Sequence, residues 1–114
     1  MALLGLAFKE DTDDMRESPA IPIARSLVEH GAYVVAYDPI AAGAARAVLP
    51  DGIRYAGTLD QALADVDAAL LVTRWPEFSR LPELLAKHAA PPLLIDGRRM
   101  IDPHSVPKYG GIGL

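Results

Sequence analysis

Ala68-Ala69-Leu70-Leu71-Val72 is an unbroken apolar run of strand length, with Asp67 before it and Thr73 after it. An alternating pattern would mark a strand with one wet face. An unbroken run marks a strand covered on both faces, the habit of parallel sheets flanked by helices. The neighbouring segments agree. Upstream, Thr58 can cap a helix carrying Leu59, Ala62, Leu63 and Val66 at helical spacing. Downstream, a helical turn over Pro76 to Phe78 and a helix over Leu81 to His88 lead to a second strong strand, Leu93 to Ile95, which ends at Asp96-Gly97.

The N-terminal half repeats this alternation. Ala2 to Phe8 reads as a buried strand, followed by the polar stretch Lys9 to Ser18. Ser18 can cap a helix with Pro19 in its first turn and Ile23, Ala24, Leu27 and Val28 on its inner face, and His30-Gly31 ends it. Pro22 removes an early backbone donor and predicts an irregular first turn. Tyr33 to Tyr37 is a strand ending at Asp38-Pro39, Ala41 to Leu49 an alanine-faced helix, and Ile53 to Tyr55 a short strand after the turn Pro50-Asp51-Gly52. Strand and helix in alternation predict an α/β fold: a three-layer, Rossmann-like parallel sheet of about five strands with helices on both faces.

At 114 residues the chain is shorter than one domain of about 150, so residues 1–114 are expected to form a single domain. With 51% hydrophobic and 23% charged residues the composition is that of a globular chain. Eleven Lys and Arg against fifteen Asp and Glu give a net charge of -4, a poor basis for non-specific nucleic-acid binding. The absence of cysteine excludes disulfides, thiolate metal sites and a cysteine nucleophile within these residues. No apolar run approaches the roughly 18 residues of a membrane helix, and Met1-Ala2-Leu3-Leu4-Gly5 lacks the basic start of a signal peptide. The expectation is a soluble, cytoplasmic protein with neither nucleic-acid nor membrane partners.

Open parallel sheets bind ligands beyond the carboxyl ends of their strands. Those ends are Phe8-Lys9, Tyr37-Asp38, Thr73-Arg74 and Asp96-Gly97-Arg98-Arg99, and three of the four carry a cation. An anion-facing rim on an otherwise acidic domain follows. The usual phosphate cradles are missing: no G-x-G-x-x-G opens a helix, and no glycine-rich loop leads into Lys9. Asp11, Asp13 and Asp14 fail the calcium-loop template, which needs Gly where Arg16 stands and Glu where Pro22 stands. Taken alone, each rim residue has a plain reading. Lys9 pairs with Asp11 or Asp13, Arg16 with Asp14 or Glu17, and Arg98 and Arg99 are solvated turn residues. His30 and His88 sit near helix C-termini, Trp75 and Phe78 anchor a loop, Phe8 joins the core, and Asp38 and Asp96 cap turns.

One segment goes beyond periodicity. Gly5-Leu6-Ala7-Phe8-Lys9-Glu10-Asp11-Thr12-Asp13-Asp14-Met15-Arg16-Glu17-Ser18-Pro19 resembles the opening of the C-terminal domain in the UDP-glucose/GDP-mannose dehydrogenase family. The resemblance continues through Gly31-Ala32, Tyr37-Asp38-Pro39, Thr73-Arg74-Trp75-Pro76-Glu77-Phe78, Asp96-Gly97-Arg98-Arg99 and Tyr109-Gly110-Gly111-Ile112-Gly113, in the family's order. Enzymes of that family oxidise the C6 hydroxyl of a nucleotide sugar to a carboxylate in two successive steps, using NAD and a cysteine nucleophile that lies ahead of this domain.

The resemblance implies that this chain is the nucleotide-sugar-binding domain alone, inactive without its N-terminal NAD-binding and central dimerisation domains. It implies that Lys9 and Arg98 contact the nucleotide sugar, that Phe8 helps shape its pocket, and that Arg16 reaches toward NAD on the neighbouring domain. No residue of this chain is implied to be catalytic, and none to hold a metal. Glu10, Arg74, Arg99 and Leu114 depart from the family's common residues and leave the sugar and base preference open. The competing reading is a non-catalytic interaction or regulatory module of the same architecture. A phospho-receiver fits poorly, because Asp13 and Asp14 lie well past the first strand and no lysine ends the last one.

Overall fold

A computed structural model of the chain describes residues 1–7 and 12–111. The described residues form strands β1 (Ala2–Leu4), β2 (Val35–Tyr37), β3 (Arg54–Tyr55), β4 (Ala68–Leu71), β5 (Leu93–Asp96) and β6 (Tyr109–Gly111). The helices are α1 (Ala20–Glu29), α2 (Ala42–Arg46), α3 (Leu59–Leu63) and α4 (Leu81–Ala86), with 3₁₀ turns at Pro76–Arg80 and Pro103–Ser105. All pairings are parallel, and the sheet order is β3-β2-β1-β4-β5-β6. The sixth strand goes beyond the expectation of about five. It was hidden because Tyr109-Gly110-Gly111 is short and carries glycine, which weakens any strand pattern.

Alternation along each strand divides the core into two layers. Leu4, Val35, Leu71 and Leu94 face α3, α4 and the loop carrying Trp75 and Phe78. Leu3, Ala36 and Val72 face α1 and α2, where Ala20, Ala24, Ala41 and Ala45 are fully buried. Alanine is a consequence of closeness here, since small side chains let these helices lie tight on the sheet.

The helix ends follow local chemistry. The Thr58 hydroxyl accepts from the Gln61 N–H at 3.1 Å, as a cap should. Pro22 is the third residue of α1 and does not break it, because first-turn N–H groups have no intrahelical acceptor to lose. Gly31 closes α1 at φ +80°, donating to the Val28 carbonyl, while Ala32 donates to that of Leu27. The elements are shorter than the sequence patterns: β1 stops at Leu4 where the expected strand ran to Phe8, itself outside the described residues, and α2 covers five residues of the expected Ala41 to Leu49.

Candidate functional site

The order β3-β2-β1-β4-β5-β6 reverses winding direction between β1 and β4, so the loops leaving these two strands diverge to opposite faces and leave a crevice at their carboxyl ends. The candidate site is this crevice and the rim around it.

Its first wall is the chain leaving β1. Gly5 donates to the Tyr37 carbonyl at 2.8 Å and takes φ +90°, a turn that frees Leu6 and Ala7 from the sheet ladder. Only glycine fits, because a Cβ there would lie 2.6 Å from the Thr73 backbone nitrogen. Beyond Gly5 the ladder is replaced by side chains. The N–H groups of Leu6 and Ala7 donate to Asp38 Oδ2 at 2.8 and 3.2 Å. The Ser18 hydroxyl donates to the Leu6 carbonyl at 2.5 Å, and the Thr73 hydroxyl to the Ala7 carbonyl at 2.8 Å. Three separate segments thus hold two residues of irregular backbone.

Asp38 is the busiest of these groups. Its Oδ2 also accepts from the Trp75 indole N–H at 3.0 Å, and its Oδ1 accepts from the N–H groups of Ile40 and Ala41 at 2.8 and 2.7 Å. At 5% exposure the carboxylate is buried with all its lone pairs engaged. It joins the ends of β1 and β2 to the loop after β4. The expectation of a turn-capping Asp38 therefore holds for two of these five bonds; the other three reach distant segments.

The same loop is pinned again by Tyr37, whose phenol donates to Glu77 Oε1 at 2.5 Å and whose ring meets Phe78 edge-on at 6.2 Å. Burial, and next the bond to Glu77, push the Tyr37 phenol well above its ordinary value. Trp75 and Phe78 are buried packing anchors, as expected.

Asp96, fully buried, organises the opposite wall. Its Oδ1 accepts from the Arg98 backbone N–H at 2.9 Å; its Oδ2 accepts from Ile101 N–H at 2.7 Å and the Tyr109 phenol at 3.1 Å. Gly97 donates to the Leu71 carbonyl at 3.0 Å, which draws this turn against the end of β4. Arg98 emerges at the wall of a cleft of about 270 Å³, floored by Leu70, Leu71 and Val72 and bounded by Pro19 and Ile23 of the α1 approach. Both rim aspartates, Asp38 and Asp96, are turned inward onto backbone donors, whereas Arg74, Arg98 and Arg99 are exposed. The net charge of -4 therefore says little about this edge.

The candidate residues from the sequence fare differently. Arg98 stands in the cleft wall. Arg16 is 89% exposed at its side chain, pairs with Asp14 at 3.0 Å, and does not line the cleft; the hydrogen bond to Asp14 raises its pKa further. Phe8 and Lys9 lie outside the described residues, two at most beyond Ala7. His30 bonds its own helix, with Nδ1 2.7 Å from the Ser26 carbonyl. Among the described residues there is no cluster of metal-ligating side chains, and no helix is long and apolar enough to cross a membrane. The sequence reading missed Thr73 as a clamp and saw in Ser18 only a cap. The signal available was a polar residue at the end of a strand otherwise buried on both faces.

Residues 2–103 match the model of the UDP-glucose/GDP-mannose dehydrogenase family, UDP binding domain. The chain is 44% identical over 101 residues to the UDP-glucose 6-dehydrogenase YwqF of Bacillus subtilis, covering 86% of this chain and 22% of that protein. It is 46% identical over 101 residues to the UDP-glucose 6-dehydrogenase AglM of Haloferax volcanii, covering 89% of this chain and 23% of that protein. Among solved structures, a UDP-glucose dehydrogenase from Pyrobaculum islandicum superposes with a TM-score of 0.80 at 35% identity, over 96% of this chain and 24% of that one. The chain thus spans about a quarter of the length of the curated relatives it matches.

Proposed function

This chain belongs to the UDP-glucose/GDP-mannose dehydrogenase family, as its UDP-binding domain, and on that premise we propose that it grips the diphosphate of a nucleotide sugar for an NAD-dependent 6-dehydrogenase of the UDP-glucose to UDP-glucuronate type. The observation that carries this reading is Arg98 in the wall of the cleft beside the β1–β4 switch point, on a rim whose aspartates face inward. A guanidinium offers a planar fork to phosphate oxygens, and the family resemblance assigns Lys9 and Phe8 to the same nucleotide-sugar site, where an ammonium would add a point charge. The cleft, at about 270 Å³, falls below the roughly 300–1,000 Å³ of a complete small-molecule site, which suits one wall of a pocket that a neighbouring domain closes.

Bound to the whole enzyme, NAD would supply the hydride acceptor for oxidation of the sugar carbon. This chain fits only the edge of such a site, because its sequence has no G-x-G-x-x-G motif to cradle a pyrophosphate. Its contribution is Arg16, which would exchange its exposed bond with Asp14 for an anionic group of the cofactor. With no cysteine in these residues, the covalent step belongs to the remaining polypeptide, and so do the NAD-binding and dimerisation domains. The domain positions the nucleotide, orients the sugar and excludes water; alone it turns nothing over. A cytoplasmic location belongs to the same reading, since a cysteine-free surface suits a reducing compartment.

Titration with UDP, UDP-glucose, GDP-mannose and uridine tests the assignment. UDP is expected to bind and uridine to bind far more weakly, because the grip is on phosphate. Loss of one charge-assisted bond of about 1.5–3 kcal/mol in Lys9→Ala or Arg98→Ala lowers UDP affinity about 10- to 150-fold. Unchanged affinity in both variants refutes the site, and NADH formation by the pure chain refutes the division of labour.

A further inference from the structure

We infer that Tyr109 is a positioning residue for the nucleotide-sugar site, acting through Asp96 on the turn that carries Arg98. The inference rests on the reading of Arg98 as a phosphate ligand, and otherwise on the bonds around Asp96. Tyr109 opens β6, the edge strand, where it lies beside Leu94 in parallel register. Its ring packs on the same apolar layer as Leu94. Its phenol reaches two residues further along the neighbouring strand and donates to Asp96 Oδ2 at 3.1 Å. For packing alone a phenylalanine would serve, so the hydroxyl is there for the carboxylate.

What that carboxylate holds is the turn itself. Asp96 Oδ1 accepts from the Arg98 N–H at 2.9 Å, and Oδ2 from the Ile101 N–H at 2.7 Å, so one side chain ties down both arms of the turn. Gly97 is pressed against β4, where a Cβ would lie 2.9 Å from the Leu71 carbonyl oxygen. Arg99 follows at φ +53°, a left-handed conformation that a side-chain-bearing residue keeps only when its surroundings impose it. The Arg98 backbone is thus fixed between a clamped glycine and a strained neighbour, and its guanidinium leaves from a set point on the cleft wall. A phenol donating to a buried carboxylate makes a charge-assisted bond and keeps Asp96 in the orientation that serves both backbone donors. A ligand that meets a preset side chain loses less conformational freedom on binding than one that must order it. Tyr109 therefore raises affinity without touching the ligand.

The experiment is a double-mutant cycle on the protein, its Tyr109→Phe and Arg98→Ala variants and the Arg98→Ala/Tyr109→Phe double variant. Each is first checked for a cooperative thermal transition, and binding is read by UDP titration followed in two-dimensional NMR, which reaches millimolar affinities. Tyr109→Phe is expected to weaken UDP binding about 2- to 12-fold, the effect of ordering one long side chain on binding. In the Arg98→Ala background the same change moves affinity by less than about twofold, because the group it positions is gone. Gly31→Ala, which strains the far end of α1 just before β2, is the control for lost stability and leaves UDP affinity at the parent's value. An equal loss from Tyr109→Phe in both backgrounds, no loss in the parent background, or a matching loss in Gly31→Ala overturns the inference. So does a Tyr109→Phe chain that fails to fold, since the phenol would then hold the whole domain and not the turn. Unchanged affinity in Arg98→Ala, or no UDP binding by the parent, overturns instead the functional reading beneath it.

Discussion

Replacing Asp38 by Asn changes one atom in the carboxylate and should unsettle three strand ends. Asp38 accepts five hydrogen bonds, three at Oδ2 and two at Oδ1. An amide keeps one accepting oxygen and turns an NH₂ toward the other donors. In its better orientation the oxygen serves Leu6, Ala7 and Trp75, and the NH₂ faces the N–H groups of Ile40 and Ala41. The Ile40 N–H is only partly buried and can turn to water; the Ala41 N–H is buried and cannot. One or two stranded donors at about 1–3 kcal/mol each give a loss of about 1–6 kcal/mol. The upper end is a large part of the roughly 5–15 kcal/mol typical of a folded domain. At about 4 °C per kcal/mol for a chain of this size, the melting temperature falls by about 4–24 °C. Urea unfolding followed by far-ultraviolet circular dichroism measures the change at constant slope, and Trp75→Phe, which strands no backbone donor, gives the smaller loss. A change below about 0.5 kcal/mol in Asp38→Asn would show that the carboxylate does not hold these ends together.

Other outcomes follow from the same geometry. Gly5→Ala forces a Cβ to within 2.6 Å of the Thr73 backbone nitrogen at φ +90° and should cost about 2–5 kcal/mol, whereas Gly31→Ala, at φ +80° with nothing within 4 Å, costs about 1–2 kcal/mol; paired urea titrations compare them, and equal losses would refute the close approach. The folded chain holds the Tyr37 phenol above its ordinary value of 10.0, so the associated stability is complete below about pH 10 and is lost as pH rises toward the folded value. Melting temperatures of Tyr37→Phe should therefore fall less steeply above pH 10 than those of the parent, and parallel alkaline limbs would refute this. Some slope remains in the variant, because Tyr55 and Tyr109 are also held above their ordinary values, each chiefly by burial.

The fold was largely legible because parallel sheets write themselves in unbroken apolar runs, and Ala68 to Leu71 and Leu93 to Ile95 are such runs. β6 was not legible, since three residues containing two glycines carry no period. The extent of β1 was misjudged for a different reason: Leu6 and Ala7 are as buried as the strand but belong to the clamp, and burial alone cannot tell ladder from side-chain bonding. At the site, strand-end cations could be placed on one edge by topology, which brought Arg98 to the cleft. Asp38 and Thr73 were invisible as structural hubs, because their partners lie 31 and 66 positions away and no local pattern records such bonds.

The winding order also sets a sequence of events during synthesis. Of these strands β1 leaves the ribosome before the others, and β2 can pair with it soon afterwards, Leu3 beside Ala36. Its other side stays open until β4 emerges and sets Leu70 there, and the turn bearing Arg98 follows only after β5. A nascent chain halted before β4 has half a sheet and no crevice. On the proposed function, ligand capture requires the whole six-stranded sheet, and retention on immobilised nucleotide would sort domains with all six strands from those cut before β4.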